Sequence, residues 1–224
     1  MAIARFKLVV LDAGNVARLG EYWAAALNRT WRAKGDRYGF MTGPTPEHRV
    51  WINAVPEPKT VKNRVHLDIY ARSLADLEAL GATAIEPFPR WTVMADPEGG
   101  EFCAFTRDDL PAERLHALVV DSENPMAQAR WWGAVYGAVV VDKGEWARLE
   151  GVPGMPIAAM DFVRVPEPKT VKNRVHWDVT IPSADSLAAL VSAGATVLRE
   201  PDDDIQWHIL ADPEGNEFCV FTRD

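Results

Sequence analysis

The sequence has few cysteines, an excess of acidic over basic residues, and no long apolar run. Its two cysteines, Cys103 and Cys219, occupy equivalent positions in two similar halves, which normally lie far apart, so we expect free thiols in a reducing cytoplasm. No apolar stretch approaches the ~20 residues of a membrane span, and the N-terminal stretch contains Arg5 and Lys7 instead of a signal-peptide core. The formal net charge of −8 argues against nucleic acid or an anionic membrane as partner. The composition predicts a soluble cytoplasmic protein.

One phrase organises the chain, because VPEPKTVKNRVH occurs at 55–66 and again, letter for letter, at 165–176. The stretch at 95–108 also returns, at 211–224, with Gly100 changed to Asn216 and Ala104 changed to Val220. Such self-similarity indicates a tandem duplication. We therefore predict two domains, 1–110 and 111–224.

Each half contains the same order of elements on both sides of the repeated phrase. A short apolar strand, a turn and an aromatic helix are followed by further strands, and Pro56 and Pro58 then make the phrase a connector, since proline cannot donate to a sheet. After the connector a second strand, helix and strand series ends in a DPEG turn and a closing strand. The sequence thus predicts an α+β fold of four modules. Four polar residues of the opening turns are predicted helix caps: Asp12, Asn15, Asp121 and Asn124.

Paired βαβββ modules, an Asp-turn before an aromatic helix, and a closing strand entered through a DPEG turn resemble the vicinal oxygen chelate superfamily. The phrases KTVKNRVHLD and ADPEGGEFC resemble its glyoxalase-like domain branch. That superfamily includes glyoxalase I, extradiol dioxygenases, fosfomycin-modifying enzymes and bleomycin-binding resistance proteins. The resemblance covers essentially the whole chain, and implies two curled mixed sheets, or cups, with helices outside.

The resemblance also implies where metal ligands would lie, at four inward-facing strand positions. The first half offers one clear ligand type among these positions, too few for a catalytic divalent site. We expect no metal; if zinc, nickel or iron is bound, the predicted ligands are His116, His176 and Glu217. The four positions fall near Arg5 or Phe6 and Arg114 to His116, near Trp51 or Asn53 and Asp161 or Val163, at His66 and His176, and at Cys103 and Cys219.

Strand alternation groups the polar candidates for a site. His66 and Asp68 share a face of one strand, and Glu101 and Cys103 share a face of another. The histidine either donates to the aspartate, or His66, Glu101 and Cys103 surround a soft cation, or the thiol is inert core. The equivalent residues of the second half are His176, Asp178, Glu217 and Cys219.

Nine tryptophans are also present. Trp23, Trp131 and Trp132 are expected in the core beneath the helices. Four others fall on strands, where they either line a cup, which suits a flat conjugated or heterocyclic ligand, or belong to the sheet core. These four are Trp51, Trp91, Trp177 and Trp207.

The leading functional hypothesis is binding of a small aromatic or heterocyclic molecule without a catalytic metal. Two alternatives remain open, a metal-dependent lyase, isomerase or dioxygenase and a non-catalytic accessory module. Leu67 is replaced by Trp177 and Tyr70 by Thr180, so the two cups are not expected to bind alike. A tandem chain can form both cups internally, as a pseudo-twofold monomer, or can dimerise. The predicted binding residues are His66, Asp68, Glu101, Cys103, His176, Asp178, Glu217, Cys219, Trp177 and Trp207.

Overall fold

The computed structural model describes residues 2–222 and contains four consecutive βαβββ modules. The first consists of β1 (Arg5–Ala13), α1 (Val16–Ala26), β2 (Trp31–Ala33), β3 (Tyr38–Met41), a short 3-10 helix (Pro46–His48) and β4 (Val50–Ala54). The second consists of β5 (Val65–Ala71), α2 (Leu74–Ala79), β6 (Thr83–Pro87), β7 (Thr92–Ala95) and β8 (Glu101–Thr106). The third consists of β9 (Leu115–Ser122), α3 (Pro125–Tyr136), β10 (Val139–Asp142), β11 (Trp146–Glu150) and β12 (Ala159–Arg164). The fourth consists of β13 (Val175–Ile181), α4 (Ala184–Ser192), β14 (Thr196–Arg199), β15 (His208–Ala211) and β16 (Glu217–Thr222).

The modules pair across the midpoint of the chain. The first and fourth form an eight-stranded sheet of order β14-β15-β16-β13-β1-β4-β3-β2, in which β1 lies antiparallel to β13. The second and third form the sheet β10-β11-β12-β9-β5-β8-β7-β6, in which β5 lies antiparallel to β9. We call their concave faces the terminal cup and the central cup. The predicted α+β fold with two curled mixed sheets is confirmed, and each cup combines residues from both halves of the sequence.

Strand alternation places the polar residues in the cups, as predicted. On β5, Val65, Leu67 and Ile69 are buried, whereas His66 and Asp68 alternate with them on the partly accessible face. The apolar residues pack beneath the sheet, since consecutive strand residues point to opposite faces. Alternate residues of this one strand therefore lie on the core face and on the cup face of the sheet.

The opening helices begin at asparagine caps. Asn15 Oδ1 accepts from the backbone N–H of Arg18, and Asn124 Oδ1 accepts from that of Ala127. The predicted cap role of Asp12 and Asp121 is wrong. Both are buried strand residues, and their carboxylates pair with Lys172 and Lys62 of the connectors. They lie three residues ahead of the true caps, in the strands rather than in the turns.

Helices α1 and α3 join the two sheets through their tryptophans. Trp23 of α1 packs on Phe102 of the central sheet with ring centroids 5.1 Å apart, and Trp132 of α3 packs on Phe218 of the terminal sheet at 4.9 Å. Both tryptophans are buried, which confirms their predicted core position. One continuous cluster of buried apolar residues spans both sheets.

The prediction that Trp177 is a binding residue is wrong. It is fully buried, and its ring lies 5.0 Å from that of Trp132. It follows His176 directly on β13, so strand alternation turns it to the core face. Of the two interpretations of this residue, sheet core is the right one.

No helix among residues 2–222 is long and apolar enough to cross a membrane.

Candidate functional site

The central cup encloses a cavity of about 1120 Å³. Its walls come from β5, β7 and β8 of the second module and from β9, β11 and β12 of the third. Trp91 stacks on Phe88 with centroids 5.1 Å apart and lies 5.9 Å from Phe105. The aromatic side chains that line the cavity are Tyr70, Phe88, Trp91, Phe105 and Trp146.

At the base of this cavity His66, Asp68 and Cys103 come together, with their potential ligand atoms all within 4.8 Å of one another. His66 Nε2 lies 3.7 Å from Cys103 Sγ and 3.5 Å from Asp68 Oδ1. Asp68 Oδ1 is nevertheless buried without a hydrogen-bond partner among the described residues. Burial is the main cause that raises the pKa of Asp68 to about 7, and burial lowers the pKa of His66. The group therefore has a weakly basic imidazole beside a readily protonated carboxyl.

Glu101 does not join this group. Its carboxylate accepts from Lys59 Nζ at 2.9 Å and from the backbone N–H of Asn63 at 2.9 Å, so it fixes the connector. The hypothesis that His66, Glu101 and Cys103 surround a cation is therefore wrong. The group contains Asp68 in place of Glu101. Burial and the neighbouring Asp68 raise the pKa of Cys103, which favours the neutral thiol.

The third module contributes His116 and Asp161 to the same cup. His116 lies at a bulge where the β5–β9 register shifts, and its Nδ1 lies 2.9 Å from the Tyr70 hydroxyl. Burial and Arg148 lower the pKa of this histidine. Asp161 accepts two hydrogen bonds of 2.8 Å from Arg148, so its carboxylate is already neutralised.

The terminal cup contains the equivalent group of His176, Asp178 and Cys219. Here Lys7 projects from the bulge of β1, and its Nζ lies 3.8 Å from Asp178 Oδ2. Burial raises the pKa of Asp178 to about 7, although Lys7 opposes this rise. Trp207 stacks on Phe221 at 5.3 Å in this cup.

Two of the predicted ligand assignments are wrong. The inward residue of β1 is Lys7 instead of Arg5 or Phe6, because the bulge shifts the alternation by one position. His116, His176 and Glu217 do not form one site. His116 lies on the central sheet and His176 on the terminal sheet, while the Glu217 carboxylate binds Lys169 Nζ at 2.7 Å.

The model of the glyoxalase-like domain matches the chain twice, over residues 8–105 and 117–221. The chain belongs to the glyoxalase-like domain family. No curated protein sequence matches it.

Among solved structures, glyoxalase I from Zea mays superposes with a TM-score of 0.70 at 16% identity. The superposition covers 97% of this chain and 92% of the Zea mays chain. A candidate dioxygenase from Bacillus subtilis gives a TM-score of 0.65 at 13% identity, covering 97% and 84%. The cppA protein from Streptococcus pneumoniae gives 0.53 at 10% identity, covering 98% of each chain. At these identities the likeness shows the shared fold.

The two cups of this glyoxalase-like protein differ in their fit to a divalent metal. In the central cup, imidazole, carboxylate and thiol donors lie together, and Asp68 Oδ1 is a buried acceptor without a hydrogen-bond partner among residues 2–222. These donors suit a borderline-soft cation such as zinc. In the terminal cup the ammonium group of Lys7 already lies beside Asp178, and a cation there repels a metal ion. The two donor sets are equivalent, and the presence of Lys7 makes the central cup the better site for a metal.

Lys7 and Arg148 are cup residues that the sequence did not predict. Arg148 lies on β11 of the third module, opposite Asp161 of β12. A basic residue between two apolar neighbours was the available signal in both cases, but the module pairing was needed to place either side chain in a cup.

Proposed function

We propose that the protein binds a small planar molecule bearing an anionic group in the central cup. The observation that supports this most strongly is a cavity of about 1120 Å³ whose wall is aromatic and which carries, within residues 2–222, two arginines not paired with a carboxylate, while Lys62 is paired with Asp121. Stacking on Trp91 and Phe105 contributes burial and ring contact. At the base, His66 and Asp68 supply polar atoms that orient the ligand.

The preference for an anion follows from the charges of the wall. Arg90 and Arg107 line the cavity, and both are exposed. Arg107 lies over the Tyr70 ring at 4.9 Å. Neither guanidinium is paired with a carboxylate within residues 2–222, whereas Arg148 is neutralised by Asp161. A carboxylate or phosphate on the ligand would supply the missing partner, and arginine binds such groups through two parallel hydrogen bonds.

Isothermal titration calorimetry with salicylate, quinaldate and anthranilate tests this proposal, with salicylamide as the uncharged control. Trp91→Ala is expected to weaken binding of the carboxylates about fivefold, since a lost aromatic contact is worth about 1 kcal/mol. Trp207→Ala, the equivalent change in the terminal cup, is the matched control and should leave affinity unchanged. The proposal fails if the wild-type protein binds none of these compounds, or if only Trp207→Ala reduces binding.

A metal-dependent lyase, isomerase or dioxygenase is the second candidate, favoured by the His66, Asp68 and Cys103 group. A divalent cation held by these three residues would supply a Lewis acid to a substrate oxygen. Metal analysis of protein purified without chelator separates the two candidates. Zinc, nickel or iron retained by the wild type and by His176→Ala, but lost in His66→Ala, supports the second candidate. A protein that holds none of them at saturating concentration contradicts it.

A further inference from the structure

Lys7 is the residue that most distinguishes the terminal cup from the central cup. It lies at the β1 bulge between Phe6 and Leu8, where the β1–β13 register shifts. The corresponding bulge in the central sheet carries His116. Because both bulges turn one extra side chain into a cup, the same position presents an alkylammonium group on one side and an imidazole on the other.

The surroundings of the Lys7 ammonium group have the chemistry of a cation site. Its Nζ lies 2.9 Å from the centroid of the Phe221 ring and 3.8 Å from Asp178 Oδ2. Trp207 backs the Phe221 ring in a stacked arrangement, with an interplanar angle of 27°. An aromatic face together with a carboxylate is the combination by which proteins recognise organic ammonium ions. The side chain of Lys7 is partly buried, with 32% of its surface exposed.

The balance of charges also favours a cation at this point. Asp178 is buried, and burial opposes its ionisation, while Lys7 favours it. Burial lowers the pKa of Lys7, and Asp178 and Cys219 act in the opposite direction. His176 and Cys219 are further titratable groups of this base; burial lowers the pKa of His176 and raises that of Cys219, and both shifts favour the neutral form. Two further carboxylates act on this base, and both are paired, Asp12 with Lys172 and Glu217 with Lys169.

We propose that the terminal cup is a binding site for a primary alkylammonium group, which Lys7 occupies as an internal ligand. This site differs from the central cup, for which we propose an anionic ligand. There the equivalent carboxylate atom, Asp68 Oδ1, has no partner among the described residues. Lys7 therefore keeps the terminal cup closed to external amines. The substitution Lys7→Ala removes the side chain beyond Cβ. The removed atoms correspond to n-propylammonium, which should therefore fit the space that they leave.

Chemical complementation of Lys7→Ala tests the proposal. The assay is run at pH 8.5, because the variant lacks the cation that holds down the pKa of Asp178. Saturating n-propylammonium chloride should raise the melting temperature of Lys7→Ala by about 3 °C, as expected for a weak ligand at roughly ten times its dissociation constant. The same salt should leave the wild type unchanged, and 1-propanol, which lacks the charge, should leave both unchanged. Lys7→Ala/Asp178→Asn should lose the response.

An equal response of the wild type and Lys7→Ala, or no response in a folded Lys7→Ala, would overturn the proposal. If Lys7→Ala does not fold, reductive methylation of the wild type provides the test. Lys7 should react at least tenfold more slowly than the exposed Lys143 when the reaction is followed by mass spectrometry of peptides. Equal rates for the two lysines would show that Lys7 does not occupy the cup.

Discussion

Asp178 shows how burial of a single carboxyl group couples folding to pH. Its pKa is about 7 in the folded protein, well above the ordinary aspartate value that applies when the chain is unfolded. Between these two values the folded state binds this proton more tightly than the unfolded state. The resulting stabilisation is complete at low pH and is lost as the pH rises through about 7.

We expect Asp178→Asn to remove this pH dependence. The free energy of unfolding, measured by urea denaturation from pH 5 to 8.5, should fall in the wild type by up to about 1.4 kcal/mol per pH unit because of this one proton. The lowered pKa of His176 acts in the opposite direction in both proteins, so the difference between the two curves isolates Asp178. Asp36→Asn, at an exposed position, is the control. A difference curve that is flat with pH would contradict the prediction.

At the scale of elements, the repeated connectors and DPEG turns hold the two sheets together. The two connectors face each other across a shared cavity of about 610 Å³. Glu98, in the DPEG turn of the central sheet, accepts from the backbone N–H groups of Gly14 and Asn15 at the start of α1, and pairs with Arg174 at 3.3 Å. Glu214 makes the equivalent contacts with the turn before α3 and with Arg64. The turns therefore do more than the hairpin chemistry predicted for them, since each copy binds residues of the other sheet.

Glu98→Ala should destabilise the protein by about 1–3 kcal/mol, because two backbone donors and a guanidinium lose their acceptor at a helix N-terminus. Glu214→Ala should cost a similar amount, since its contacts are equivalent. Glu78→Ala, at an exposed position on α2, should change stability by less than about 0.5 kcal/mol. Urea denaturation at pH 7 measures all three. A cost for Glu98→Ala no larger than that for Glu78→Ala would show that the turn glutamate does not link the sheets.

At the scale of the whole molecule, neither half of the sequence can form a complete sheet. β1 finds its central antiparallel partner in β13, and β5 finds its partner in β9. Both junctions join residues of different halves, and so both cups depend on both halves. The intact chain satisfies these pairings internally, and we propose that it is a monomer.

Fragments 1–110 and 111–224 should therefore fold together and not alone. Co-expressed halves should copurify as a one-to-one complex, whereas each half alone should self-associate or precipitate, because an unpaired central strand exposes backbone donors and acceptors. Size-exclusion chromatography with light scattering distinguishes these states. A monomeric isolated half with a native near-ultraviolet circular dichroism spectrum would contradict the expected exchange of modules.

Much of the architecture could be predicted because it depends on local sequence. The prolines at 56 and 58 end a strand wherever the chain goes, and the alternation of Val65, His66 and Leu67 assigns faces without knowledge of the neighbours. Trp177 could have been resolved by the same rule, since it directly follows His176. The candidate site was predicted less completely. Asp68 and Cys103 were among the predicted residues, but the role of Glu101 depended on a lysine of the connector.

By itself, the sequence determined the duplication, the four βαβββ modules and the polar faces of the strands that bear His66 and His176. These properties follow from backbone geometry and short-range periodicity. The tertiary structure alone decided which modules share a sheet, and hence that His116 lines the same cup as His66 while Lys7 lies beside Asp178. The physical reason is that strand pairing is a long-range interaction between backbones, and two similar halves offer each strand similar possible partners. The packing of α1 and α3 on the opposite sheets and the crossed contacts of the connectors favour the observed pairing.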